Sequence, residues 1–266
     1  MTDPAEIGRA LSVDDELPEQ AEATEDRSRM SFLDHLDELR KRILYSFYAL
    51  IACCAVAFFY WQTLYAYFVK YFSAYGGQLI YSQPMAGFLF SLKLTALIGL
   101  IAAAPFIFAQ FWLFVAPGLY AREKRVVIPF VFFSSVLFFA GAWFGHTQGF
   151  PAMWRFFAGY QIEGLSFLPA LDITFGFYVK VIIGLGLVFQ MPMLVYSLAR
   201  FGIVTWKFLA RHFRYAILII VVTAAVITPS GDMVTLAVFA APMVVLYVIS
   251  IGVAFVFGKR RDKETV

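Results

Sequence analysis

The sequence predicts an all-α integral membrane protein with one six-span domain. Three observations support this class: the composition, six apolar stretches of spanning length, and an alternation of basic residues between them. Hydrophobic residues make up 61% of the 266 residues and charged residues only 15%, with a mean hydropathy of +0.76. Soluble proteins average about 45–50% apolar and about 25% charged residues. A soluble fold of this size could not bury so much apolar surface, so a soluble enzyme is excluded.

The N-terminal part of the chain is polar. Residues 1–29 hold nine Asp and Glu residues against three Arg, and no apolar segment follows a basic start. This composition predicts a disordered acidic tail rather than a secretory signal peptide. The next segment, SFLDHLDELRKR at 31–42, has apolar residues at helical spacing. It predicts a short amphipathic helix that lies at the membrane surface and leads into the first span.

Six apolar stretches follow within a membrane domain at 30–258, and a basic tail occupies 259–266. A helix needs about 20 residues to cross about 30 Å of hydrocarbon. The fifth stretch is the shortest and ends in a Pro-Ser-Gly turn, which predicts a hairpin of spans five and six shorter than the bilayer. The predicted spans are 43–61, 91–115, 126–146, 173–199, 212–228 and 233–257.

Basic residues alternate between the two sides of these spans. Fourteen Lys and Arg lie in the N-terminal junction, the second and fourth loops and the C-terminal tail, whereas the alternate segments hold four. Since cytoplasmic loops carry the excess of Lys and Arg, both termini are predicted to be cytoplasmic. The outer segments 60–81 and 147–171 are rich in aromatic residues. This predicts an aromatic belt that anchors them in lipid.

The chain offers little for catalysis or for binding a metal or cofactor. Cys53 and Cys54 are adjacent in an apolar run, and the three His are far apart, so no disulfide framework, metal site or cofactor is expected. No protease or nucleotide-binding motif occurs in the sequence, which disfavours a membrane enzyme. The polar candidates within the spans are Gln110 and Gln190. Each amide is either a helix-packing group or part of a site.

Two carboxylates stand in basic surroundings on the predicted cytoplasmic side. Glu38 lies in LDELRKR, one helical turn before Arg42, and Glu123 lies in APGLYAREKR. Each is either a solvated surface charge or an acceptor for a basic ligand, and the local pattern alone favours the solvated charge.

Four motifs together resemble the TatC family, the large membrane subunit of the twin-arginine protein translocase. They are HLDELRKRI before span one, FVAPGLYAREKR between spans two and three, FQMP in span four and the TPSGD turn before span six. The resemblance covers about residues 31–257. It implies a cup-shaped, six-span receptor in the inner membrane that binds twin-arginine signal peptides of folded proteins at its cytoplasmic face. It also implies assembly with TatA, TatB and further copies of itself, transport driven by the proton-motive force, and no enzymatic activity.

The resemblance assigns recognition of the signal peptide to Glu38 and Arg40 in the first motif and to Phe114 and Glu123 in the second. The chemistry is consistent with this assignment, because a carboxylate accepts two parallel hydrogen bonds from the planar guanidinium group of arginine. Two carboxylates on separate segments could therefore receive two adjacent arginines. With the resemblance, recognition becomes the favoured interpretation for both carboxylates.

The chain departs from the family pattern at three places. Gln190 stands where the family carries a Glu, Val248 stands where it carries another, and the TPSGD turn has one extra residue. An amide keeps the hydrogen-bonding capacity but cannot carry a proton, so Gln190 is expected to bind a partner's span rather than to move protons. A secondary transporter or channel for a small solute is the alternative function. It would require intramembrane charges or an internal repeat.

Overall fold

The computed structural model describes residues 35–75, 79–115, 127–159, 167–228 and 232–258. The chain divides into two units, Met1–Phe47 and Tyr48–Val266, and each is described by itself. In the described ranges the regular structure is helical, apart from one isolated bridge. The helices are α1 (His35–Phe59), α2 (Trp61–Ser73), α3 (Ala86–Val115), α4 (Val127–Phe144), α5 (Phe150–Gly159), α6 (Leu171–Val188), α7 (Met191–Arg200), α8 (Trp206–Arg211), α9 (Phe213–Ile227) and α10 (Met233–Phe257), with a π-helical segment, Gly145–Gly149, between α4 and α5.

Five stretches of the described chain are long and apolar enough to cross a membrane. They are His35–Phe59, Ala86–Val115, Ile128–Gly159, Leu171–Arg200 and Met233–Phe257. The fifth predicted span corresponds to α9, whose 15 residues rise only about 22 Å, against about 30 Å of hydrocarbon. A short apolar helix at this place is therefore confirmed, while its passage through the bilayer stays a prediction.

The helix predicted before span one is confirmed in its described part, while its position at the membrane surface stays a prediction. The described part of that segment, 35–42, forms the first turns of α1, which continues without a break to Phe59. The physical reason is in the sequence: no Gly or Pro occurs between 35 and 59, so nothing ends the helix where the charged residues give way to apolar ones.

The third and fourth spans differ from their predicted limits. The third was predicted to end at 146 but continues through the π-helical segment to Gly159, because that segment keeps the backbone helical. The fourth is interrupted at Phe189 and Gln190, between α6 and α7. Pro192 explains this break, since it has no N–H to donate to the preceding turn. Pro105 and Pro242, in contrast, lie inside α3 and α10 without ending them.

Aromatic residues of the two outer segments form much of the core. The rings of Phe72 in α2 and Phe150 in α5 are 5.2 Å apart, and both side chains are fully buried. Trp154 is also buried, and it packs beside both of them. The lipid-anchor interpretation is therefore wrong for Trp154, although Tyr60 and Tyr81 are more than half exposed. Sequence alone could not separate the two kinds of aromatic residue, because the packing of α2 on α5 is a tertiary contact.

The bridge ties the chain before α3 to the start of α6. Ile80 donates its N–H to Pro169 O at 3.1 Å, and Leu171 donates its N–H to Ile80 O at 3.0 Å. Ser82 Oγ adds a hydrogen bond to Asp172 Oδ1 at 2.9 Å. These contacts fix the ends of α3 and α6 together.

Glycines bring α4 and α6 into backbone contact. A Cβ atom at Gly141 would lie 2.6 Å from Leu185 O and 2.9 Å from the Cα of Gly186. At Gly145 it would lie 3.2 Å from Ile182 Cδ1. The GxxxG pair at 141 and 145 therefore serves packing within this chain.

Candidate functional site

Glu38 and Arg42 form an ion pair on the first turns of α1. The guanidinium Nη2 of Arg42 lies 3.1 Å from Glu38 Oε1, and the two side chains are 27% and 30% exposed. The order, Glu four residues before Arg, is the favourable one for a helix. Because both groups remain accessible to water, the pair contributes little to stability, about 0.3–0.5 kcal/mol. The carboxylate can therefore exchange one guanidinium partner for another at low cost.

Arg40 and Asp37 lie on the same turns and are exposed. They are three residues apart, whereas Glu38 and Arg42 are four apart, so the first turns of α1 display charges of both signs around the helix. Every one of these side chains belongs to the first unit of the chain.

Phe114 is half-buried in the last turn of α3, in the second unit. The turn is anchored by its neighbour Trp112, which is buried and donates its Nε1–H to Ser134 Oγ of α4 at 2.8 Å. Trp112 also packs edge-on against Phe130 at 4.8 Å between ring centroids. The direction in which α3 ends is thereby fixed by contacts with α4. Glu123, the fourth residue of the predicted recognition set, lies outside the described residues.

Gln190 lies in the turn that separates α6 from α7, and its side chain is buried. Its amide Nε2 donates to the backbone oxygen of Ser134 at 2.9 Å, so it joins the fourth span to α4. This contact favours the packing alternative that the sequence left open for the amide. Its role toward a partner's span stays a prediction. Gln110, the other polar candidate within the predicted spans, is buried in α3.

Ser134 contacts both Trp112 and Gln190, and no sequence pattern predicted this role. Its hydroxyl accepts from Trp112 and its carbonyl accepts from Gln190, so three helices meet at one residue of α4. A serine in an apolar helix is common, and only the tertiary structure shows that its two oxygen atoms both receive donors.

A second polar group missed by sequence reasoning is His146 in the π-helical segment. Its Nδ1 lies 2.9 Å from Tyr178 Oη, and its backbone carbonyl accepts a hydrogen bond from Tyr71 Oη. Burial raises the pKa of Tyr71, so its hydroxyl remains a donor. Tyr71 and His146 also stack at 4.2 Å between ring centroids. These contacts attach α2 to the segment, and residues 32 to 75 positions apart in sequence give no local signal for them.

The described residues contain no group of three or more His, Cys, Asp or Glu side chains that could hold a metal ion. The helices and their apolar stretches of spanning length define a class: an all-helical, multi-pass membrane protein.

Comparison with known proteins gives the family. The family model "Sec-independent protein translocase protein (TatC)" matches residues 34–242. A TatC protein of Koribacter versatilis is 42% identical over 242 residues, covering 88% of this chain and 89% of that protein. A TatC protein of Helicobacter pylori strain 26695 is 37% identical over 220 residues, covering 83% and 85%.

A solved structure supports the same family. A crystal structure of the twin-arginine translocase receptor TatC in DDM matches with a TM-score of 0.73 and 32% identity, covering 85% of this chain and 99% of that chain. The chain belongs to the TatC family of Sec-independent protein translocase proteins. It is a multi-pass inner-membrane component of a protein translocase and not an enzyme. The family that the four motifs indicated is confirmed, and so is the all-helical membrane fold class.

Proposed function

We propose that this chain is the receptor and core subunit of the twin-arginine translocase. In this proposal its cytoplasmic face binds the twin-arginine signal peptides of folded proteins. It then assembles with TatA- and TatB-type single-span proteins and further copies of itself, and export is driven by the proton-motive force. The resemblance of the sequence motifs and the description of a similar solved structure as a receptor support this function.

The observation that carries the proposal is the accessible carboxylate of Glu38. It forms an ion pair with Arg42, at 3.1 Å, on the helix that forms the first candidate span. A guanidinium of the signal peptide can replace Arg42 and bind both carboxylate oxygens, which gives a stronger and more directional contact than one nitrogen does. Lysine has no planar guanidinium group and cannot form this bidentate contact, so the geometry accounts for a preference for arginine.

Glu123 is proposed to receive the second arginine of the pair. Phe114 is proposed to contact the apolar part of the signal peptide, and Arg40 is proposed to take part in recognition beside Glu38.

The proposed topology has six spans with both termini in the cytoplasm, and α9 is the fifth span. Its apolar length falls about 8 Å short of the hydrocarbon thickness, so the bilayer would thin locally around it. The alternation of basic residues along the sequence supports this orientation.

A peptide-binding experiment tests the recognition site. The full chain is placed in nanodiscs, and the affinity of a twin-arginine signal peptide is measured for the native protein, Glu38→Gln and Glu123→Gln. A hydrogen bond to a charged group contributes about 1.5–3 kcal/mol, so each variant should bind about 10- to 100-fold more weakly. A peptide with two lysines should bind the native protein more weakly than the twin-arginine peptide does.

Asp37→Asn is the matched control, because Asp37 is an exposed carboxylate on the same helical turn. It should bind the peptide as the native protein does. Equal affinities for Glu38→Gln, Glu123→Gln and the control would show that these carboxylates are solvated surface charges and that the recognition proposal is wrong.

A further inference from the structure

An apolar crevice of about 360 Å³ lies between α4, α7 and α10. Phe133 and Leu137 of α4 form one wall, Met193 of α7 another, and Val253 and Phe257 of α10 the third. Its volume lies within the range of small-ligand pockets, about 300–1,000 Å³. The crevice is therefore large enough for a hydrocarbon chain.

The depth of the crevice indicates what can occupy it. Along α4 its lining runs from Pro129, two residues after the helix begins, to Leu137. Eight residues of helix rise about 12 Å, which is less than half of the roughly 30 Å hydrocarbon layer. On α10 the lining ends at Phe257, the last residue of that helix. The crevice thus begins at the helix ends and reaches the depth of one leaflet, as an acyl chain does. A spanning helix of a partner would require a groove about twice as long.

A positive charge lies at the end at which the crevice begins. Arg200, the exposed last residue of α7, lies one turn beyond the lining residue Tyr196 and on the same helical face. A basic side chain at the end of a spanning segment lies at the level of the lipid phosphates.

We propose that this crevice binds one anionic phospholipid, with an acyl chain between α4, α7 and α10 and the phosphate beside Arg200. Basic residues next to a span attract anionic lipids, while the apolar walls hold the chain. The proposal rests on the crevice and on Arg200, and it does not depend on the signal-peptide site.

Photochemical crosslinking tests the proposal. Phe133 or Phe132 of the full chain is replaced by photoreactive p-benzoylphenylalanine. The two neighbours are similarly exposed, 54% and 61%, but only Phe133 lines the crevice. The protein is reconstituted in equal amounts of phosphatidylglycerol and phosphatidylcholine with identical acyl chains, and the lipid adducts are identified by mass spectrometry.

At position 133 the phosphatidylglycerol adduct should exceed the phosphatidylcholine adduct about fivefold, the preference that one basic residue gives near a membrane. Position 132 should show no preference. Arg200→Gln should lower the preference at 133 several-fold, whereas Lys207→Gln, which removes an exposed charge from α8, should leave it unchanged. Thermal unfolding of each variant shows that the fold is retained.

Equal adducts of the two lipids at position 133 would overturn the proposal. So would an unchanged preference in Arg200→Gln, because the phosphate would then lie elsewhere. Crosslinking of an added twin-arginine peptide at position 133, with loss of the lipid adduct, would overturn it in favour of a peptide site.

Discussion

The fourth span and α1 are both apolar helical segments, but they differ in how much of each is enclosed by the chain. In the most apolar window of Leu171–Arg200, 44% of the residues are buried, whereas in His35–Phe59 only 6% are. The fourth span touches the backbone of α4 at Gly141, and Gln190 bonds to α4 as well. Within α1, Ala57 alone is buried.

This difference shows what restricts the sequence of each segment. The fourth span is restricted by atoms of its own chain, which leave no space for larger groups. The exposed sides of α1 face lipid or other molecules, so their residues are free to serve binding. Substitutions should accordingly change folding in the first region and binding in the second.

The largest expected effect is the loss of stability in Gly141→Ala. The added methyl group would lie 2.6 Å from Leu185 O and 2.9 Å from the Cα of Gly186. Backbone atoms cannot move aside as a flexible side chain can, so we expect a loss of about 2–3 kcal/mol in the free energy of unfolding. Thermal unfolding in detergent measures it.

Gly176→Ala in α6 is the matched control, because no atom lies within 4 Å of the position that its Cβ would occupy. Alanine favours a helix over glycine by about 0.5–1 kcal/mol, so this variant should be as stable as the native protein or more so. Equal effects of the two substitutions would contradict the close contact of α4 with α6.

Much of this contrast was accessible from the sequence. Apolar runs of spanning length predicted the positions of the spans. Span six was predicted at 233–257, and α10 occupies Met233–Phe257. The spacing of Gly141 and Gly145 and the position of Pro192 are further local patterns, and they coincide with the close contact and with the break after α6. These features act over one or two helical turns, and a local pattern can therefore report them.

What the sequence could not give depends on pairs of residues distant along the chain. Ser134 receives donors from Trp112 and Gln190, 22 and 56 residues away. The helix that leads into the first span was predicted from the spacing of its apolar residues, which is a local pattern. For the candidate site, the recognition role of Glu38 came from the family resemblance and stays a prediction, whereas its ion pair with Arg42 followed from the spacing of one helical turn.

The second prediction concerns the exposed charges of α1. If Glu38 and Glu123 bind one arginine pair, Glu38→Gln combined with Glu123→Gln should weaken peptide binding by less than the sum of the single losses. Residues that act on one ligand are coupled by about 0.5–3 kcal/mol. Peptide affinity of the native protein, both single variants and the double variant gives the coupling energy. Strict additivity would indicate two independent sites.

Neither single variant should alter thermal unfolding by more than about 0.5 kcal/mol, since an exposed ion pair of one helical turn contributes no more than that. A large loss of stability in Glu38→Gln would mean that α1 depends on this charge for folding, and the contrast between the two regions would fail.

A smaller effect is expected where residues 48–59 of α1, which belong to the second unit, contact α3. A Cβ atom at Gly99 of α3 would lie 2.7 Å from the Cα and 2.8 Å from the N of Cys54. Because α1 has few other buried contacts, it can move away, and Gly99→Ala should cost only about 1–2 kcal/mol. In a Cys53→Ser background, Cys54 should then react faster with a membrane-permeant maleimide. Gly252→Ala, at an open position of α10, should leave the rate unchanged.

The smallest effect is expected for the amide of the fourth span. Gln190→Leu removes the hydrogen bond to Ser134 O, and such bonds between membrane helices contribute about 0.6–1.7 kcal/mol. Thermal unfolding and co-purification with a TatB-type partner are measured on the same preparations. If the amide serves packing, the melting temperature falls while co-purification stays at the native level. If it serves the partner's span, co-purification falls several-fold and stability is unchanged. Gln190→Glu keeps the size of the side chain and should be tolerated in both assays. A leucine variant that changes neither quantity would show that the fourth span is held to α4 by its glycine contacts alone, without help from this hydrogen bond.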